Sequence, residues 1–272
     1  MVTNTATPTV TRTKPVRITD DILIGGDAIV LMAGPCSVED DATTRAAAEA
    51  VSRFGGRILR GGAFKPRTSP YVFQGLGLEG LKILRRAADE FGLAVITEAL
   101  GVEHLEAVCE YADIIQIGSR NMQHFPLLWA VGALDKPVLL KRGFMATVSE
   151  WLLAAEHIAS RGNERIILCE RGIRSFGTET RNTLDTNAIA LAKLESHWPV
   201  IGDPSHATGR ADLVIPAARA AIAAGADGLL VEVHPDPARA LSDRDQALPL
   251  ERLPELVDDV ARIAAAMRRS FP

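Results

Sequence analysis

Several side chains that could do chemistry stand at the ends of short apolar runs in the sequence. One set combines a thiol, imidazoles and carboxylates, namely Cys36, Asp203, His206, Glu232 and His234. Thiolate, imidazole and carboxylate ligands together can bind a divalent ion such as Mn, Fe, Co or Zn. Each residue alone has a simpler interpretation, because a single cysteine is more often an inert buried thiol and a strand-end glutamate often pairs with an arginine. The metal hypothesis therefore rests on their joint occurrence.

A second set is cationic and follows other apolar runs. It comprises Arg60, Lys65, Arg67, Arg120, Lys141, Arg142 and Arg171. Guanidinium and ammonium groups bind phosphate and carboxylate, and arginine does so with two parallel hydrogen bonds. The formal net charge of the chain is −4, which gives no indication of nucleic acid binding. Cations concentrated in one pocket of a slightly acidic protein predict a polyanionic small ligand, although each could instead be a solvated strand end.

The apolar runs that precede these residues indicate a parallel sheet. They are rich in β-branched residues and lack polar alternation, as expected of strands buried on both faces. The runs are Ile29–Gly34, Arg57–Phe64, Ala94–Ala99, Asp113–Gly118, Pro137–Arg142, Arg165–Arg171, Pro199–His206 and Gly228–His234. Amphipathic segments between and after them, such as Val148–Arg161 and Leu250–Met267, predict helices. The alternation predicts an α/β protein, a (β/α)8 TIM barrel, whose carboxyl strand ends carry the chemistry.

The start of the chain predicts only a small addition to the barrel. The segment Val16–Gly25 precedes the first barrel strand and predicts a short hairpin that plugs the bottom of the barrel. The Thr-rich residues before it fit a frayed tail better than a transit peptide, and they lack the apolar core of a secretion signal. We therefore expect a flexible tail over residues 1–15 and a single catalytic barrel over residues 16–272.

Cysteine usage and hydropathy favour a cytoplasmic protein that does not enter the membrane. The three cysteines, Cys36, Cys109 and Cys169, are an odd number without a repeated spacing, so no disulfide framework is expected. Reduced thiols are the simpler interpretation. No segment approaches the run of about 20 apolar residues that crosses a bilayer.

A series of motifs, in order along all eight predicted strands, is similar to one enzyme family. The motifs are AGPCSVE (33–39), GGAFKPRTSPYVFQGLG (61–77), TEAL (97–100), IQIGSRNMQ (115–123), PVLLKRGF (137–144), ILCERG (167–172), TRNTLD (180–185), DPSHATGR (203–210) and VEVHPDPARALSD (231–243). They resemble the 3-deoxy-7-phosphoheptulonate (DAHP) synthases of the class shared with KDO8P synthases. The resemblance runs from about Ile18 to the C-terminus and shows no added regulatory module. We therefore expect little feedback inhibition of the isolated chain by aromatic amino acids.

The resemblance implies a reaction and a set of site residues. The reaction condenses phosphoenolpyruvate (PEP) with D-erythrose 4-phosphate and water, giving 3-deoxy-D-arabino-heptulosonate 7-phosphate and phosphate, the first step of the shikimate pathway. One divalent metal ion would be held by Cys36, His206, Glu232 and Asp243. PEP would be bound by Arg60, Lys65, Arg120, Lys141 and Arg171. Erythrose 4-phosphate would be bound by Arg67, Thr68 and Ser69 of the KPRTS loop.

The implied chemistry is an aldol-type condensation. The ion polarises the aldehyde oxygen, the methylene carbon of PEP attacks, water adds, and phosphate leaves. Fixed cations position the two anionic substrates and offset their repulsion. Lys65 and Glu98 are the candidates for handling the water and the transferred protons, and they form the predicted catalytic set with Cys36 and His206.

Two other functions stay under consideration. One is a KDO8P-type or specialised-metabolism synthase that joins PEP to another aldose phosphate. The other is a non-enzymatic descendant, disfavoured because every metal and PEP position is retained. The loop Ser242–Gln246 (SDRDQ) departs from the Ser-Asp-Gly-Lys-Gln common in relatives and carries different charges after Asp243. Relatives suggest a homodimer or homotetramer, and the sequence leaves open a chorismate mutase partner.

Overall fold

The structure is a computed structural model that describes residues 13–65, 69 and 71–271. Its first regular element is a short antiparallel hairpin. Strand β1 (Val16–Arg17) pairs with strand β2 (Leu23–Ile24). The apolar side chains of the hairpin pack in one cluster with Val30 and Ile58, which begin two of the barrel strands. Because these residues mark the amino ends of the strands, the hairpin closes the bottom of the barrel. The predicted N-terminal hairpin is confirmed.

Eight parallel strands follow the hairpin and close into a barrel. They are β3 (Val30–Gly34), β4 (Ile58–Arg60), β5 (Ala94–Glu98), β6 (Ile114–Ile117), β7 (Val138–Lys141), β8 (Ile166–Glu170), β9 (Val200–Gly202) and β10 (Gly228–His234). Each strand pairs with the next one along the chain, and β10 pairs with both β9 and β3. A short strand β11 (Leu248–Pro249) adds to β10 beyond the ring. The predicted (β/α)8 TIM barrel is confirmed.

Helices surround the barrel and bury its outer face. They are α1 (Asp41–Arg53), α2 (Leu78–Glu90), α3 (Leu105–Tyr111), α4 (Phe125–Gly132), α5 (Val148–Ala159), α6 (Thr186–Glu195), α7 (Pro204–Thr208), α8 (Ala211–Ala223) and α9 (Leu253–Ala266). Apolar side chains on their inner faces, such as the fully buried Trp151, form one cluster with the outward-facing strand residues. Gly92, Gly162 and Gly225 follow helices with positive φ, where a side chain would strain the backbone.

The run Pro199–His206 does not remain a strand, because the Asp203 carboxylate accepts the His206 N–H and the chain turns into α7 after Gly202. Another aspartate, Asp40, caps α1, and its carboxylate accepts the Thr43 N–H at 2.7 Å.

The last residues of the predicted tail lie against the barrel. Lys14 N–H donates to the His197 carbonyl at 2.7 Å, and Lys193 Nζ donates to Thr13 Oγ1 at 2.6 Å. Residues 13 and 14, which belong to the predicted tail over residues 1–15, therefore contact the barrel. Residues 1–12, the rest of the predicted tail, lie outside the described part of the chain.

Two further findings concern the thiols and the helices. Cys36, Cys109 and Cys169 are all free, and no disulfide links them. Within the described part of the chain, none of the helices has both the length and the apolar character needed to traverse a bilayer.

A buried carboxylate ties the last barrel strands to the chain termini. Asp227 is 2% exposed and accepts from the Val200 N–H at 2.8 Å. Lys193 Nζ donates to both of its oxygens, and Arg269 Nη2 lies 3.1 Å from Oδ1. Arg269 also donates to the carbonyls of Ala226 and of residues 26 and 27. The segment after α9 is thereby fixed beneath the strand that closes the ring.

Replacing Asp227 with alanine should cost about 3 kcal/mol of unfolding free energy, because two cations and one strand N–H lose their acceptor in a buried setting. Urea denaturation of the variant and the wild type measures the loss. The matched control is Asp135→Ala, since the Asp135 side chain is 95% exposed in its pair with Arg165. That change should cost less than about 1 kcal/mol. Equal losses in the two variants would contradict the role of the buried carboxylate.

Candidate active site

The barrel brings the four predicted metal ligands to its carboxyl end. Glu232 lies in β10 opposite Gly34 of β3, and Cys36 follows β3 directly. His206 lies in α7, just after β9, and Asp243 lies in the connection between β10 and β11. Because β9, β10 and β3 are neighbours in the closed ring, residues far apart in the sequence meet at one place.

These side chains form one compact donor cluster. The ligand atoms of Cys36, Glu232 and Asp243 all lie within 4.8 Å of one another. Cys36 Sγ is 3.2 Å from Asp243 Oδ2, and His206 Nε2 is 3.3 Å from Glu232 Oε1. Metal–ligand bonds of about 2.0–2.3 Å place the donors around one ion at such separations. Cys36, Glu232 and Asp243 therefore fit a divalent ion. We call these three, together with His206 beside Glu232, the donor cluster.

Neighbouring side chains orient the donors. His206 Nδ1 lies 2.8 Å from Asp203 Oδ2, so the opposite nitrogen, Nε2, faces Glu232. Lys141 Nζ donates to the same Asp203 oxygen at 2.7 Å. A carboxylate behind an imidazole in this way fixes the ring of a metal-binding histidine.

The carboxylate of Glu232 is held at both oxygens. Arg60 Nη1 donates to Oε1 at 2.7 Å, and Gln246 Nε2 donates to Oε2 at 2.6 Å. Burial alone would raise the pKa of Glu232, but the charges of His206 and Arg60 outweigh it and hold that pKa below its usual range. Glu232 is therefore an anion in the core of the barrel mouth.

The pKa of the Cys36 thiol is shifted in the opposite direction, away from the charged form. Burial, reinforced by the charge of Glu232, raises the pKa of Cys36 to about 11. Lys65 lowers it in part, since its Nζ lies 3.0 Å from Cys36 Sγ and also donates to the Cys36 carbonyl at 2.9 Å. A bound cation is the kind of neighbour that converts such a thiol into a thiolate.

Lys65, Arg60 and Glu98 line one small hollow beside the donor cluster. Gln116 also lines it, and its amide lies 3.4 Å from Glu98 Oε2. A methyl group at Gly118 would come within 1.9 Å of Glu98 Oε1, so the glycine leaves room for this carboxylate. The predicted catalytic pair Lys65 and Glu98 is thus brought to the same part of the barrel mouth.

Three arginines surround the ring of Phe144 on the far side of the mouth. The guanidinium carbons of Arg120, Arg171 and Arg174 lie 5.5, 4.7 and 5.1 Å from the ring centroid. A cavity of about 390 Å³ lies here, lined by Arg120, Phe144 and Arg174 among others. Arg171 is buried, and its Nη1 has no hydrogen-bond partner among the described residues. Burial lowers the pKa of Arg171, although the Asp203 charge opposes this shift.

Arg142 differs from the other strand-end cations. Its guanidinium is buried and its Nη1 pairs with Glu170 Oε2 at 3.0 Å and with Asp185 Oδ2 at 2.9 Å. Glu170 also accepts from the N–H groups of Gly172 and Asp185. This cation therefore anchors the loop between β8 and α6 and neutralises acids of that loop.

The predicted aldose phosphate loop is described only in part. Arg67 and Thr68 lie outside the described residues, so their predicted role stays a prediction. Ser69 is exposed, and its hydroxyl accepts from the Tyr71 N–H at 3.3 Å.

Sequence reasoning missed two residues that hold the donors. Gln246 links Glu232 to Arg181, whose Nη1 donates to Gln246 Oε1 at 2.9 Å and to Asp243 Oδ1 at 3.2 Å. Arg181 stands in the TRNTLD motif that carried the resemblance, and Gln246 stands in the SDRDQ loop, which departs from relatives after Asp243. The signal was present, but only the structure shows that these distant motifs touch.

Comparison with known proteins gives the family. The sequence model of the DAHP synthetase I family matches residues 9–266. The chain belongs to this family. The predicted resemblance is confirmed.

Individual members of the wider family are similar over most of this chain. The phospho-2-dehydro-3-deoxyheptonate aldolase of Thermotoga maritima is 57% identical over 247 residues, 91% of this chain and 73% of that protein. The 2-dehydro-3-deoxyphosphooctonate aldolase of Syntrophotalea carbinolica is 34% identical over 267 residues, 91% of this chain and 95% of that protein. A crystal structure of the DAHP synthase of Thermotoga maritima superposes with a TM-score of 0.93 at 53% identity, covering 96% of this chain and 76% of that one.

The contrast between Arg142 and Arg171 gives a prediction for this site. Arg142→Met should lower the unfolding free energy by about 3 kcal/mol, because Glu170 and Asp185 lose their cation in a buried setting. Arg171→Met is the matched comparison and should cost less than about 1 kcal/mol, since Nη1 of Arg171 lacks a partner among the described residues. Chemical denaturation measures both. A loss in Arg171→Met as large as that in Arg142→Met would contradict this division of roles.

Proposed function

We propose that the protein condenses PEP with D-erythrose 4-phosphate and water to form 3-deoxy-D-arabino-heptulosonate 7-phosphate and phosphate, the first step of the shikimate pathway. One observation carries the proposal: the donor cluster lies beside buried cations at the carboxyl end of the barrel, with Lys65 Nζ 3.0 Å from Cys36 Sγ. A site for a Lewis acid next to a site for anions is what a condensation of two phosphorylated substrates requires. The family and the DAHP synthase of Thermotoga maritima support the same reaction.

The donor cluster is proposed to hold one divalent ion through Cys36, His206, Glu232 and Asp243. When bound, such an ion supplies Lewis acidity toward a carbonyl oxygen. The mixture of thiolate, imidazole and carboxylate suits Mn, Fe, Co or Zn. Asp203 keeps His206 in the orientation that the site needs, and Gln246 does the same for Glu232.

The cations are proposed to hold PEP. Arg60, Lys65, Arg120, Lys141 and Arg171 are the residues assigned to it. Arg171 supports this assignment most directly, because its buried Nη1 has no acceptor among the described residues and an anionic oxygen would satisfy it. Fixed positive groups offset the repulsion between the two phosphorylated substrates and hold their reacting carbons close together.

Proton transfer is assigned to Lys65 and Glu98. Both line the hollow that also contains Arg60 and Gln116, next to the donor cluster. Lys65 Nζ can hold or release a proton near Cys36, and the Glu98 carboxylate can orient the water that adds to the PEP-derived carbon.

Erythrose 4-phosphate is preferred over a five-carbon aldose phosphate as the second substrate. We assign its phosphate to Arg67, Thr68 and Ser69 of the KPRTS loop, which KDO8P synthases resemble only loosely. The identity of 57% to a phospho-2-dehydro-3-deoxyheptonate aldolase, against 34% to a 2-dehydro-3-deoxyphosphooctonate aldolase, favours the same choice.

The proposed setting is the cytoplasm, and the proposed assembly is a homodimer or homotetramer. The three free thiols suit a reducing compartment. A chorismate mutase is a candidate partner for regulation. Size-exclusion chromatography with light scattering, with and without that partner, measures both associations.

The substrate assignment predicts a clear preference in a direct competition. Purified protein is given PEP together with equal concentrations of erythrose 4-phosphate and arabinose 5-phosphate. Mass spectrometry measures the two sugar products separately, and released phosphate measures total turnover. We expect the seven-carbon product to dominate, because the KPRTS loop is assigned to the shorter aldose phosphate. Formation mainly of the eight-carbon product would establish the KDO8P-type alternative instead.

The metal assignment predicts that activity depends on the Cys36 thiol. Chelation should abolish activity, and adding back a divalent ion should restore it. The Cys36→Ala variant should bind no metal, and its kcat/KM should fall at least about 100-fold. Cys109→Ala is the matched control, because Cys109 is a free thiol on α3, away from the barrel mouth. Full activity of Cys36→Ala in the presence of chelator would rule out the proposed mechanism.

A further inference from the structure

Asp243 differs from the other three members of the donor cluster in what holds it. Cys36, His206 and Glu232 lie on barrel strands or directly after them, so the hydrogen bonding of the sheet places them. Asp243 lies in the connection over residues 235–247, whose only regular structure is the 3₁₀ turn Pro237–Arg239. Its φ is +48°, a conformation that L residues rarely adopt. Contacts outside the sheet must therefore hold this residue in place.

Two side-chain contacts tie the residues just before Asp243 to the residues just after Cys36. Ser242 Oγ lies 2.5 Å from Ser37 Oγ, and both serines are buried. The Leu241 N–H donates to Glu39 Oε1 at 2.8 Å. Each contact joins the loop that carries Cys36 to the loop that carries Asp243. The Cys36 Sγ and Asp243 Oδ2 atoms themselves lie 3.2 Å apart.

His234 lies next to Glu39. Nδ1 of His234 accepts the Asp236 N–H at 3.0 Å, which leaves the ring proton on Nε2 when the ring is neutral. Nε2 is buried and faces Glu39 Oε2 at 3.6 Å. The two oxygens of Glu39 are thus turned in different directions, one toward His234 and one toward Leu241. The Glu39 carboxylate is held by the Leu241 N–H, since His234 Nε2 makes no hydrogen bond within the described residues.

We propose that Ser37, Ser242 and Glu39 are positioning residues that clamp the Asp243 loop to the Cys36 loop and thereby set the metal affinity of the donor cluster. The inference rests on the metal site of the proposed function and adds residues to which that function assigns no role. None of the three is assigned to substrate or metal. Without the clamp, the donor cluster keeps three placed ligands, and the fourth must be ordered at the expense of binding free energy.

The clamp is tested by measuring metal binding directly. Glu39→Ala and Ser242→Ala proteins are freed of metal with chelator and titrated with Co²⁺ in competition with a chelating indicator dye. We expect the Kd for Co²⁺ to rise about 10–100-fold in each, the range for residues that support metal ligands. The near-ultraviolet absorption of the cobalt–thiolate bond should persist at saturating Co²⁺, because Cys36 still binds.

Kinetics separate positioning from general damage. The Co²⁺ concentration for half-maximal activity should rise by the same factor as the Kd for Co²⁺. At saturating Co²⁺, kcat and the KM for PEP should stay within about twofold of wild type, because excess metal fills the site again. A purely structural defect would lower kcat at saturating metal and the thermal midpoint together. That pattern would overturn the proposal.

The double variant Ser37→Ala with Ser242→Ala guards against a failure to fold. Removing both hydroxyls leaves no buried hydroxyl without a partner, so the fold should be retained while the contact is lost. Matched controls are Glu49→Ala, an exposed glutamate on α1, and Ser175→Ala, whose hydroxyl lies 2.9 Å from Thr183 Oγ1 in an exposed pair. Both controls should bind Co²⁺ as the wild type does.

The outcomes distinguish the clamp from the metal site. A wild-type Kd in Glu39→Ala, Ser242→Ala and the double variant overturns the clamp and leaves the donor cluster intact. Weakened binding in the controls to the same extent also overturns it. A wild-type protein that shows no cobalt–thiolate absorption overturns the proposed metal site itself.

Discussion

The parallel pairing of β10 with β3 is the constraint on which the rest of the site depends. It closes the ring and sets Glu232 opposite Gly34, two positions before Cys36. At Gly34 a side chain would come within 2.0 Å of the Arg60 carbonyl oxygen, so the strands β3 and β4 approach closely where the donors begin. A shift of this register would separate the thiol from the carboxylate, because neighbouring residues of a strand point to opposite faces.

Charge balance explains how so many ionised groups occupy one buried region. Each buried acid of the donor cluster or behind it has a cation in contact, Arg60 at Glu232 and Lys141 at Asp203. Glu170 is matched in the same way by Arg142. Such pairs add little net stability, since desolvation offsets their attraction, but removing one partner is costly. Arg171 is the contrasting case, because its buried Nη1 lacks an acceptor within the described chain.

Different parts of the fold hold the donors with different rigidity. Strand ends place Cys36 and Glu232, and a short helix capped by Asp203 places His206. Asp243 accepts a hydrogen bond from Arg181, and the residues before it are held by Glu39, which accepts the Leu241 N–H, and by Ser37, which contacts Ser242. Because loops tolerate change more readily than barrel strands, such a loop is a part of the barrel where metal affinity can change without disturbing the closed sheet.

The sequence by itself determined the barrel, its hairpin and the list of candidate donors, because continuous apolar strands and the residues that follow them are local patterns. It did not determine where Pro199–His206 leaves the sheet, since that depends on the Asp203 carboxylate accepting the His206 N–H. It also grouped Arg142 with the ligand-binding cations, and only the tertiary structure showed its pairing with Glu170 and Asp185. The contacts of Gln246 with Arg181 and Glu232 were likewise decided by the fold. Local sequence patterns show which side chains stand at a strand end. The direction of the chain after the strand and the bonding partner of each side chain are set only when the ring closes and distant loops meet.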